Sequence, residues 1–185
     1  MIPYEIVRSQ RKTISLQVTQ EGKVLVRCPR RLSQSQVRRF VQEHTPWLEA
    51  QLSKIAAQPK LPKLTEEDRK ALISQAAREI PRLAERYAPL VGVSYGRITI
   101  RSQQGRWGSC SGAGNLNFNC LLMLAPPQVR EYVVVHELCH RKEMNHSAQF
   151  WAEVERILPD YRQSRQWLKD QGSALIARLP QKPQA

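Results

Sequence analysis

Acidic residues are scarce in this chain of 185 residues: 16 Asp and Glu stand against 29 Lys and Arg, a net charge of +13. Histidine is scarcer still, with four in all. No apolar run approaches the roughly 18 residues that a membrane-spanning helix needs, so a membrane span is not expected. The opening MIPYEIVRSQRK has no signal-peptide apolar core, and a cytoplasmic location is the expectation. Cys28, Cys110, Cys120 and Cys139 form no C-x-x-C pair, so they read as reduced thiols. Cys139 reads as a packing residue, and Cys110 has no assigned role. There is no G-x-x-x-x-G-K-[ST] pattern and no internal repeat, which excludes a P-loop and a solenoid. Hydrophobic content of 41% and charged content of 24% are ordinary for a globular protein.

The charge is uneven. Residues 1–64 hold 12 Lys and Arg against 4 Asp and Glu, and the remainder hold 17 against 12. Such a surplus suits an anionic partner, whether nucleic acid, nucleotide or acidic polypeptide, as well as it suits a solubilising surface. Residues 4–9, 12–19 and 23–28 read as strands of a small antiparallel sheet, with a turn over residues 20–22. Arg8, Arg11 and Lys12 cluster near the first turn, as an anion site or as a charged sheet edge. Ser33 or Ser35 can cap a following helix, broken near Thr45 by Pro46. His44 falls on its apolar stripe and reads as a packed histidine. Residues 58–64 read as a linker. The expected division is a basic sheet-and-helix subdomain over 1–64, a metal-binding domain over 65–171 and a mobile tail over 172–185.

The remaining three histidines fall within eleven positions of VVVHELCHRKEMNHSAQFW, residues 133–151. A helix turns about 100° per residue, so His136 and His140 lie one turn apart on one face and can share a metal ion. Glu137 follows the first ligand, where its carboxylate can reach a water on zinc and take its proton as general base. Catalytic zinc commonly has three protein ligands. His146 is the expected third, with Glu153 or Glu155 as rivals. The metal helix is expected over about 127–143, with Asn145 ending it, Ser147 capping the next helix, and a last short helix over 160–170. In the second helical stretch Thr65 and Asp68 form a capping box, and Pro81 is expected to kink the helix that this box starts.

The stretch RSQQGRWGSCSGAGNLNFN, residues 101–119, is glycine-rich. Beside a metal helix it can supply donors to a substrate or an oxyanion, with Arg106, Trp107, Gly108 and Ser109 as the candidates. Taken alone it reads better as a tight turn with Trp107 plugging the core.

RKTISL (11–16), RWGSCS (106–111), NLNFN (115–119), YVVVHELCH (132–140) and MNHSAQFW (144–151) together resemble the YgjP-like family, grouped with SprT and WLM domains among small zinc-metallopeptidase-type proteins. The resemblance spans roughly residues 4–170. It implies a zincin-like α+β fold with small antiparallel sheets packed on the H-E-x-x-H helix, one Zn2+ on His136, His140 and His146, and Glu137 as catalytic base. The leading expectation is a zinc-dependent hydrolase of the metallopeptidase kind. The alternatives are a metal-dependent phosphohydrolase, a pyrophosphatase acting on a nucleoside triphosphate through Arg8, Arg11, Lys12, Arg101 and Arg106, and a non-catalytic zinc module that binds nucleic acid through the basic N-terminal region. An intact Glu137 speaks against the last, because a structural zinc needs no base.

Overall fold

The computed structural model describes residues 2–19, 22–57 and 61–180. It falls into two compact units, Met1–Lys60 and Leu61–Ala185. Two residues of the expected turn at 20–22, the first part of the expected linker (58–60) and the end of the expected tail (181–185) lie outside the described residues. Among the described residues no helix is long and apolar enough to cross a membrane.

In the first unit three strands, β1 (Tyr4–Ser9), β2 (Ser15–Val18) and β3 (Val24–Pro29), form a sheet in the order β1-β3-β2. The sheet is mixed, which corrects the antiparallel expectation. β1 runs parallel to β3, from Tyr4 beside Val24 to Ser9 beside Pro29, and only β2 runs antiparallel to β3. β3 takes the centre because it carries the buried Val24, Val26 and Cys28. Two helices, α1 (Gln34–Glu43) and α2 (Thr45–Ala57), come next. Ser33 and Gln36 cap α1 reciprocally, a motif that stabilises a helix by about 1 kcal/mol. Val37, Val41 and Leu48 then close the core over β3. His44 donates from Nδ1 to the Phe40 carbonyl at 2.8 Å. Arg8 donates to the carbonyls of Arg30 and Leu32 at 3.0 and 2.6 Å, and Arg11 donates to Ser15 Oγ at 2.9 Å. These two arginines tie the sheet to its loops, whereas Lys12 stays exposed.

The second unit is α+β. Its long helix α3 (Glu66–Val91) starts from a capping box of Thr65 and Asp68, runs unbroken through Pro81 and Pro89, and stops at Gly92, whose φ is +78°. A second mixed sheet of β4 (Ile98–Arg101), β5 (Gly108–Cys110) and β6 (Leu116–Asn119) has the order β4-β6-β5. β4 is parallel and β5 antiparallel to β6, so this sheet too departs from the antiparallel expectation. A 3-10 turn (Cys120–Leu124) leads to α4 (Pro127–Cys139), then α5 (Ala148–Ile157) and α6 (Tyr161–Ala177). Ile80, Leu116, Phe118, Leu121, Leu122, Leu138 and Phe150 are among its fully buried side chains.

α6 outlasts its expected end at 170, and residues 172–179 are not a loose tail. Gly172 is a contact point within the helix: a Cβ there would stand 3.0 Å from the Trp107 ring. Ala174, Leu175 and Leu179 are buried beyond it. Residues 61–64 are pinned to the same end of α6. Leu64 N–H donates to Arg178 O at 2.8 Å, Lys63 Nζ to Ala177 O at 2.6 Å, and Arg178 Nε to Pro62 O at 3.0 Å.

Candidate active site

The apolar run Tyr132, Val133, Val134 and Val135 buries α4, so the histidines and glutamate after it are held by a packed element rather than by a loop. α4 ends at Cys139, four residues short of its expected end, with His140 as its C-cap. The chain turns through residues 140–142 in ordinary right-handed backbone. Among the described residues only Gly22, Gly92 and Gly114 have positive φ, so Asn145 supplies no left-handed stop. Ser147 Oγ then accepts from Phe150 N at 3.2 Å and starts α5. This cap, directly after His146, fixes where the third imidazole sits.

The turn brings the three imidazoles together. Their candidate ligand atoms all lie within 4.8 Å of one another, and Nε2 of His136 and of His146 are 3.0 Å apart. All three rings pack on Phe150, at 4.8, 4.5 and 4.9 Å between centroids. His140 Nδ1 donates to the Glu143 carbonyl at 3.0 Å, which leaves its Nε2 lone pair for a metal, the usual arrangement for a ligating imidazole. Burial, and then the neighbouring imidazoles, push the His136 pKa down to about 3. Burial also lowers that of His140. Both are therefore neutral near pH 7, as metal ligation requires. These features fit a three-histidine metal site. Glu153 and Glu155, the rival ligands, are engaged elsewhere: Glu153 with Lys142 and Arg156 at 2.7 and 2.5 Å, and Glu155 with Arg162 at 2.6 Å.

Glu137 points off the imidazole face and is 5% exposed. Burial raises its pKa to about 8, against the pull of the Arg106 charge. One carboxylate oxygen, Oε2, is buried with no protein partner, as is His136 Nδ1. A buried acceptor without a partner is costly unless a water or a substrate meets it. The rest of the carboxylate lies against β5. A Cβ on Gly108 would stand 2.5 Å from Glu137 Oε1 and 2.7 Å from its Cγ. Glycine at 108 is thus what lets β5 and the Glu137 carboxylate approach each other, and the RWGSCS stretch borders α4 through that residue.

The remaining candidates are spread more widely. Arg106 is exposed, and its charge acts on Glu137. The Trp107 ring turns away to α6 and the core. Ser109 Oγ accepts from Asn117 Nδ2 at 3.3 Å. Arg8, Arg11 and Lys12 belong to the first unit and the imidazoles to the second. Two residues without an expected role support the site. Asn119, fully buried, donates to the carbonyls of Gln103 and Arg106 at 2.7 and 3.1 Å and accepts from Leu121 N at 3.1 Å. It thereby pins the loop that delivers Gly108. Arg141 donates to Ser94 O and Gly112 O and occupies the space a side chain at Gly114 would need. The alternating asparagines of NLNFN were the one hint in the sequence of the first; nothing there pointed to the second.

Comparison with known proteins gives a family match. The family model described as YgjP-like, metallopeptidase domain, matches residues 12–73 and 63–171. No curated protein matches the chain. Among solved structures, the metallopeptidase zymogen abylysin of Pyrococcus abyssi is similar over 50% of this chain and 95% of its own, with 24% identity and a TM-score of 0.45. The metallopeptidase zymogen jannalysin of Methanocaldococcus jannaschii is similar over 50% and 93%, with 20% identity and a TM-score of 0.43.

Proposed function

The chain belongs to the YgjP-like metallopeptidase domain family and is a zinc hydrolase; on that premise we propose that it cuts extended polypeptide chains, with Glu137 as general base. The observation that carries this reading is the edge of β5. In the order β4-β6-β5, β5 pairs among the described residues with β6 on one side only, and Gly108 on it touches Glu137. An open strand edge offers backbone N–H and C=O groups that an extended peptide satisfies by pairing. A peptide so held brings its scissile bond to the carboxylate and the imidazoles.

His136, His140 and His146 would hold the metal. Zinc there supplies a Lewis acid and a water of lowered pKa. Glu137 takes the proton through the otherwise unpartnered Oε2 and returns it to the departing amine. Gly108 keeps the carboxylate in place, and the β5 backbone with Arg106 steadies the developing oxyanion.

The test is incubation of the zinc-loaded protein with an unfolded polypeptide, with product termini read by mass spectrometry. Internal cleavage that disappears in Glu137→Gln is the expected result. Release of phosphate from nucleoside triphosphates with the polypeptide left whole would overturn the peptidase reading.

A further inference from the structure

Two arginines flank the site without an ion pair among the described residues. Arg165, on α6, holds its guanidinium 4.3 Å over the Trp151 ring. That ring stacks on Tyr161 at 5.5 Å and lies 5.6 and 5.8 Å from the imidazoles of His146 and His136. Arg106 lies two residues from Gly108, on a loop fixed by Asn119. Both arginines are exposed. Among the described residues neither takes part in an ion pair, while three carboxylates of the helices around the site are matched to other cations: Glu131 with Arg86, Glu153 with Lys142 and Arg156, Glu155 with Arg162. Arg106 stands in the loop before β5 and Arg165 on α6, so the two cations flank the site from different parts of the unit.

We infer that the site selects polypeptides with an acidic residue beside the scissile bond, the carboxylate being taken by Arg165, with Arg106 as a second cation. This rests on the peptidase reading and specifies its substrate. A guanidinium held flat on an aromatic ring keeps its N–H edge free for a carboxylate and gives up little freedom on binding it. The open edge of β5 binds any backbone, so specificity must come from side-chain contacts, and here those contacts are cationic. Arg165 positions substrate in this scheme and moves no proton.

The test uses pairs of peptides that differ only by Asp or Glu against Asn or Gln on either side of one cleavable bond. The ratio of kcat/KM, acidic over neutral, is read within each enzyme. It is expected to be about fivefold in the native protein, the scale of one partly exposed charge-assisted contact. It should fall toward unity in Arg165→Gln and invert in Arg165→Glu. Binding of the same peptides to Glu137→Gln protein, followed by fluorescence anisotropy, should show the same ordering in Kd without turnover. Cleavage of both peptides at equal rates, with equal Kd, overturns the inference and leaves the peptidase reading intact. Failure to cleave or bind any peptide, with nucleoside triphosphates hydrolysed instead, overturns both.

Discussion

Glu137 and Gly108 act as one unit, and substitutions at either should separate geometry from chemistry. Gly108→Ala puts a methyl where Glu137 Oε1 and Cγ already are, so the carboxylate must move. A displacement of about 1 Å at a reacting group costs on the order of a hundredfold in rate. The expected outcome is therefore a kcat loss of that order with the zinc content unchanged, read by steady-state kinetics beside elemental analysis. Full activity in Gly108→Ala would show that the contact does not position the base. This pairing also marks where the sequence stopped being informative. H-E-x-x-H spacing is local, and helix geometry alone puts His136 and His140 on one face. The contact of Gly108 with Glu137 joins residues far apart in the chain, and no periodicity reports it. Trp107 and Gly172 teach the same lesson: residue 172 opens the expected mobile tail, but in the fold it lies within α6 and makes room for an indole.

Among the elements, α5 carries the heaviest demand. Its N-cap comes directly after His146, and its Phe150 supports all three imidazoles. Phe150→Ala should lower stability by about 3–5 kcal/mol, as for a fully buried phenylalanine, and should weaken zinc retention against a chelator as well. Loss of stability with chelator resistance unchanged would show that the rings hold their positions without it. The same helix is clamped by Glu153, which pairs with Lys142 in the turn before His146 and with Arg156, itself bonded to Leu90 O at 2.9 Å. Hydrogen bonds from Arg156, and then Lys142, hold the Glu153 pKa at about 2. A depressed carboxylate stabilises the fold above its unfolded value near 4.5, and that contribution fades as pH falls from there toward 2. Glu153→Gln should accordingly have a lower Tm than the native protein at pH 7, with the gap closing below about pH 4.5. A gap that is the same at pH 7 and pH 3 would show that the ion pairs contribute nothing. The strand pairings were less legible than the helices. The capping box at Thr65 is written in four consecutive residues, whereas the choice of β3 as the partner of both β1 and β2 depends on which strand the core needs at its centre.

At the scale of the whole molecule, basic charge is densest in the first unit: residues 1–60 carry 11 of the 29 basic side chains against 4 of the 16 acidic ones. Even with Arg8 and Arg11 tied to the sheet, that surplus should give binding to DNA or RNA that weakens steeply with salt, measurable by anisotropy titrations at several ionic strengths. A flat salt response would reduce the surplus to a solubility feature. The second unit carries the three imidazoles, the base and the open strand edge, and the central claim is that these make one zinc-dependent peptide hydrolase. The most direct measurement sets zinc content beside polypeptide cleavage for the native protein, Glu137→Gln and the double variant His136→Ala/His140→Ala. The expected result is about one zinc per chain with cleavage in the native protein, the same zinc with cleavage lowered at least about a hundredfold in Glu137→Gln, and neither in the double variant. Cleavage that survives in Glu137→Gln, or zinc that survives in the double variant, would contradict it.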